Sequence, residues 1–112
     1  MKVYYAHPVS TYNSLQELRD IEILERLNLE VVNPNNPVDA LGYEKEGMAY
    51  FKRVVESCDL LAFKAFPDGS IPKGVSTEIS WAEVVIELPV HLAGRTLSVE
   101  ETREYLLNTG CR

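Results

Sequence analysis

Apolar and polar positions along the chain switch repeatedly between a strand period and a helix period. Lys2 to Ala6 ("KVYYA") is a short β-branched and aromatic run, apolar on both faces, and predicts a buried parallel strand. From Ser14 to Asn28 the apolar residues Leu15, Leu18, Ile21, Leu24 and Leu27 recur at three-residue steps with charges between them, which predicts a helix. Ser14 with Glu17 forms a capping box at its start. Leu29 to Pro34 reads as a second strand, stopped by "NPNNP". A loop to about Gly42 and a helix through Ser57 follow, with Met48, Phe51, Val55 and Cys58 on the inner side. Asp59 to Ala65 predicts a third strand, and the next loop turns at Pro67-Asp68-Gly69. Ser76 to about Glu87 predicts a helix, although Val84, Val85 and Ile86 fit a strand as well. A fourth strand is expected over Pro89 to Ala93. A last helix opens on the capping box Ser98/Glu101 and runs to about Asn108, with Gly110 as the stop.

Strand–helix alternation of this kind predicts an α/β fold, one domain spanning 1–112, with about four parallel strands and helices on both faces. Ligands of such sheets bind beyond the carboxyl ends of the strands. The loops to watch are therefore Ala6 to Asn13, Asn33 to Gly42 and Ala65 to Ser76. No repeat, low-complexity tract or linker divides the chain.

Composition narrows the partners. The sequence of 112 residues is 46% hydrophobic and 25% charged, as in globular domains with one core. Its formal net charge of −6 argues against a nucleic-acid polymer or an anionic membrane as partner, though not against a small anion held by backbone N–H groups. Neither a signal peptide nor a membrane-spanning run is expected. Cys58 and Cys111 lie far apart with no Cys/His cluster around them, so a reducing, cytoplasmic setting is expected, with no metal site and no cofactor.

The candidate chemistry centres on "PKGVSTEISWA", Pro72 to Ala82. Glu78 falls in the expected first helical turn behind strand three, where the helix N-terminus would favour its ionised form. It reads either as a plain helix-start charge or as a nucleophile aimed at the crevice. Gly74 would let backbone approach a ligand, and Ser76 with Thr77 would bring hydroxyls to the helix start. The plainer reading makes Ser76 an N-cap. Tyr5, His7 and Ser10, in "YYAHPVS", end strand one at the crevice; His7 is a proton shuttle or a turn residue. Trp81 either stacks a base beside Glu78 or packs on the sheet. Asp59 falls on the wrong edge of the sheet, and Asp68 reads as a turn former.

"VYYAHPVS", "SCDLLAF" and "GVSTEISWA" stand in the order and spacing of the nucleoside 2-deoxyribosyltransferase superfamily, which the chain resembles from about Met1 to Ala93. That superfamily includes the 2′-deoxynucleoside 5′-monophosphate N-glycosidases. The resemblance implies a flavodoxin-like or Rossmann-like sheet, a homo-oligomer, and a small-molecule nucleoside or nucleotide substrate. It places Glu78 as the nucleophile on the anomeric carbon, with Tyr5, His7 and Ser10 lining the sugar pocket and Gly74 and Ser76 near the sugar's 5′ end. The position at which the family usually carries a catalytic Asp is Phe51 here, and Ser76 and Ser80 replace residues that are commonly glycine. The expected activity is N-glycosidic cleavage or deoxyribosyl transfer; the alternative is a non-catalytic module that binds a nucleotide-like ligand in the same crevice.

Overall fold

A computed structural model describes residues 1–66, 70–88 and 96–97. Its main sheet is built from β1 (Lys2–Ala6), β2 (Glu30–Val32), β3 (Leu60–Phe63) and β5 (Val85–Glu87), all parallel, in the order β2-β1-β3-β5. This is the strand order of a small flavodoxin-like, Rossmann-like fold. The chain steps one way from β1 to β2 and then returns past β1 to β3, so the order reverses between β1 and β3. A crevice opens at such a switch point, above the carboxyl ends of the strands. A second, two-stranded parallel ladder joins β4 (Ile71–Pro72) to β6 (Thr96–Leu97).

Helices cover both faces. Side chains alternate across β1, so Val3 and Tyr5 face one way and Tyr4 and Ala6 the other. Val3 and Tyr5 pack with Ala62, Leu88 and Leu24 of α1 (Leu15–Arg26). Tyr4 and Ala6 pack with Leu61, Phe63, Val55 of α3 (Met48–Glu56) and Val75 of α4 (Lys73–Ser80). Both layers are closely filled, and Val3, Tyr4, Tyr5, Ala6, Leu61 and Ala62 are wholly buried.

Three expectations need correction. The helix expected from Gly42 to Ser57 is two helices: α2 (Pro37–Glu46) begins inside the supposed loop, and α3 follows a break at Gly47. Asn36 accepts a hydrogen bond from the Asp39 N–H and Pro37 takes the first helical position, so "NNP" is a helix start rather than a strand breaker. Gly47 adopts φ +66, ψ −150, a conformation that side chains strongly disfavour, and this ends α2.

The helix expected over Ser76 to Glu87 starts earlier, at Lys73, and ends at Ser80. Val85 to Glu87 instead extends beside β3, where β-branched residues fit a pleated surface better than a helix. The fourth strand of the sheet is therefore this one. The strand expected at Pro89 to Ala93, the turn at Pro67-Asp68-Gly69 and the Ser98–Asn108 helix lie outside the described residues.

The leucine stripe of α1 is also misassigned. Leu24 is buried and Ile21 packs beside it, but Leu15, Leu18 and Leu27 are 62%, 63% and 60% exposed. The positions that α1 buries are Glu17, Asp20 and Leu24. Its inner face is thus acidic near the carboxyl edge of the sheet and apolar further along.

Candidate functional site

The crevice is built from the segment after β1, the segment after β2, and α4. Tyr4, on the α3/α4 side of β1, donates its hydroxyl proton to Glu78 Oε2. Glu78 is only 8% exposed. Burial raises its pKa to about 7, and the hydrogen bond from Tyr4 opposes that rise. The Tyr4 phenol is in turn driven well above its ordinary value, first by burial and then by the charge of Glu78. The result is a carboxyl group near its midpoint at neutral pH, in a dry setting and with one built-in donor.

Glu78 does not owe its state to a helix terminus. α4 starts at Lys73, so Glu78 lies in its second turn, beyond the reach of the terminal N–H groups. Ser76 is likewise one turn in, and Pro72 rather than Ser76 occupies the N-cap. Gly74 has an ordinary negative φ and is exposed, with open space where a Cβ would stand. Nothing about its own backbone demands a glycine.

Tyr5 points to the opposite face from Glu78. Its hydroxyl donates to Asp20 Oδ2 at 2.5 Å, and burial together with Asp20 raises its pKa. Asp20 Oδ1 also receives Gln16 at 3.1 Å and lies 3.6 Å from the Lys64 ammonium, which is itself buried. Consecutive residues of one strand must face opposite ways, so it is Tyr4 that meets Glu78. The double Tyr is the sequence signal for this partner, but choosing between them needs the register of β1 against α4.

His7 is buried rather than open to the crevice. Its Nε2 lies 2.8 Å from Glu17 Oε2 and its Nδ1 lies 3.0 Å from the Tyr5 carbonyl oxygen. Burial lowers the pKa of His7 and the Glu17 hydrogen bond opposes this. Acceptors face both ring nitrogens, but burial outweighs them and leaves the imidazole below its ordinary value. Burial raises the pKa of Glu17, but hydrogen bonds from His7, the Asn35 amide and the Asn13 backbone N–H outweigh it and leave the carboxyl below its usual range. The His7 ring stacks on Tyr5 at 3.8 Å and meets Tyr12 at 4.8 Å.

Glu17 therefore ties the segment after β1 to the segment after β2. Asn13, in a left-handed conformation (φ 62), turns the chain into α1, and Asn35 also donates to its side chain at 3.0 Å. Tyr12 is held over the same crevice: its phenol pKa is raised by burial first, then by the charges of Glu78, Glu17 and Asp39. Ser10 has a buried Oγ without a hydrogen-bond partner.

Trp81 caps the far end of α4, its backbone N–H on the Glu78 carbonyl oxygen at 3.1 Å, and its side chain packs against the Tyr4 layer of the core. With Val55, Cys58 and Leu60 it lines a pocket at the amino-terminal edge of the sheet, away from the crevice. Asp59 lies on that edge too, accepting from the Lys2 N–H at 2.7 Å. Phe51 packs partly into the core.

Of the residues singled out from sequence, Glu78 lies in the crevice and Tyr5, His7 and Ser10 lie behind or beside it. Tyr4, Tyr12, Glu17, Asn35 and Asp39 complete the site. Among the described residues no group of three or more His, Cys, Asp or Glu side chains is arranged to hold a metal ion. No helix among them is long and apolar enough to cross a membrane. Compared with known protein families the chain matches none, and a comparison with curated proteins likewise returns no match.

Proposed function

We propose that the crevice binds a (deoxy)nucleoside or nucleoside 5′-monophosphate and that Glu78 cleaves or transfers its N-glycosidic bond. The observation that carries this reading is the state of Glu78, a buried carboxyl shifted to about 7 with Tyr4 as its donor at the strand switch point. A strongly shifted carboxyl with a specific partner in a crevice is a candidate chemical site. The sequence resemblance to nucleoside 2-deoxyribosyltransferases supports the same residue.

In this reading the ionised Glu78 attacks the anomeric carbon and the base leaves. Water or an acceptor base then displaces the enzyme, so configuration is retained. Tyr4 keeps Glu78 oriented and stabilises its negative charge, while Tyr12 offers a ring face to the ligand. The chain works in the cytoplasm and as a homo-oligomer, for which the exposed Leu15 and Leu18 of α1 supply apolar surface. Incubation with deoxynucleosides and their monophosphates, with and without a free acceptor base, tests the activity. A Glu78→Ala protein as active as wild type removes Glu78 from the mechanism.

Phe51 favours a second reading. The family position for a catalytic Asp is filled here by core packing, as in a relative that has become a non-catalytic binding module. Thermal stabilisation by a nucleoside without turnover distinguishes that outcome.

A further inference from the structure

At the edge of the sheet opposite the crevice, the turn from α3 into β3 and the turn from α4 into β5 leave a cavity of about 320 Å³ between them. Its floor is apolar, made by Val55, Leu60, Ala82 and Trp81. Trp81 is half-buried, packing on the core and also bounding the cavity. Cys58 on the wall stays a neutral thiol, since burial pushes its pKa up and its Sγ donates to the Val54 carbonyl oxygen at 3.3 Å.

The rim is acidic. Glu56, Asp59 and Glu83 stand around it, all exposed. Among the described residues none of the three forms an ion pair, not even Glu56 with Lys52 one turn before it. Two basic residues of the adjoining elements are engaged elsewhere: Arg53 reaches both Glu46 oxygens, at 2.6 and 2.7 Å, and the Lys2 ammonium lies 3.8 Å from Glu30. Backbone adds the same sign. α3 ends at Glu56 and α4 at Ser80, so the carbonyl ends of two helices, which carry partial negative charge, converge on this edge. The N–H groups of the turns are consumed internally, Ser57 and Cys58 on carbonyls of α3, Trp81 and Ala82 on carbonyls of α4. The cavity thus combines an apolar floor with negative charge and keeps no free turn N–H for an anion.

We propose that this cavity is a second binding site, for a small organic ammonium ion free in solution. A methylated ammonium head lies against Trp81, whose ring quadrupole attracts a cation, with the rim carboxylates around it. A short carbon chain covers Val55, Leu60 and Ala82. The volume is at the small end of ligand pockets and suits such a molecule. A bare metal ion fits worse, because among the described residues no acidic side chains converge as ligands and the floor is apolar. The site stands apart from the reading of Glu78 as nucleophile.

Trp81 is the chain's single tryptophan, so its fluorescence reads this site directly. The wild type is titrated with choline, with 3,3-dimethylbutan-1-ol, which has the same shape without the charge, and with sodium chloride at equal ionic strength. Choline should shift the emission saturably with a Kd in the millimolar range, the neutral alcohol should bind about tenfold more weakly, and the salt should leave the spectrum unchanged. In Glu56→Gln/Glu83→Gln the choline Kd should rise about fivefold; both side chains are exposed, so the fold is kept. In Trp81→Leu, which keeps an apolar floor, stabilisation by choline in a thermal melt should disappear. Equal binding of choline and the alcohol, a choline response that sodium chloride reproduces, or an unchanged choline Kd in the double variant overturns the proposal. The absence of any saturable choline response in the wild type overturns it as well.

Discussion

Tyr4 and Glu78, 74 residues apart in the chain, meet in the interior through a single hydrogen bond from phenol to carboxylate. That bond opposes the burial that lifts the Glu78 pKa, so removing it should lift the pKa further. On the proposed role of Glu78 as nucleophile, Tyr4→Phe should move the rising limb of the pH–rate profile to higher pH. The protein should also lose about 1–3 kcal/mol of stability, because a buried acceptor loses its donor. Thermal melts and a pH–rate profile check the two effects together; an unmoved limb would separate Tyr4 from Glu78.

Stability should carry a signature of Glu78 with the opposite sign to that of an ordinary paired carboxylate. Its folded pKa, about 7, lies above its unfolded value, so between pH 4.5 and 7 the folded state binds more protons than the unfolded one. The contribution is therefore fully present at low pH and is lost as pH rises through about 7. The linkage amounts to about 3 kcal/mol as an upper value. Glu78→Gln should accordingly gain stability relative to wild type between pH 5 and pH 8, as read by urea melts at both. A difference that does not change with pH would show that Glu78 is ionised throughout.

Glu17 is expected to matter more than a helix-surface acid would. Glu17→Ala leaves the buried His7, Asn35 and the Asn13 N–H without their shared acceptor, and a loss of about 3 kcal/mol is expected. The same variant should weaken ligand binding, because the segments after β1 and β2 are no longer joined. A thermal melt within a degree of wild type would contradict this.

Gly47 and Gly74 should separate cleanly. Gly47→Ala places a side chain at φ +66 and ψ −150 and should cost about 1–3 kcal/mol despite the open space there. Gly74→Ala meets neither strain nor a clash and sits in the first turn of α4, so it should be neutral or slightly stabilising. Measured melting temperatures of the pair decide the matter.

The parallel sheet and its flanking helices were legible because β1 and β3 are continuously apolar and the Ser14 cap is a local signal that tertiary packing did not override. The Asn36-Pro37 start was equally local but was masked by a breaker reading of the same residues. The site was less legible. Glu78 stood out from its neighbours, yet Tyr4 and Tyr5 are indistinguishable until β1 is placed between α1 and α4. The stripe Leu15, Leu18, Leu27 outweighed Glu17 and Asp20 in any reading that expects apolar residues inside. Buried charges gain their reason from partners just past the ends of β1 and β3, His7 and Lys64, and the Lys64–Asp20 pair is too distant along the chain for any local window to bring together.

The grading of the inner face of α1, from Glu17 and Asp20 to Leu24, means that the helix is fastened by different forces at its two ends. Acid protonates the Glu17 anchor and leaves the Leu24 contacts untouched, whereas cold weakens apolar packing first. Amide hydrogen exchange should therefore quicken at the start of α1 at low pH while its second half stays protected. The carboxyl-edge rim then breathes open while the rest of the sheet stays shut.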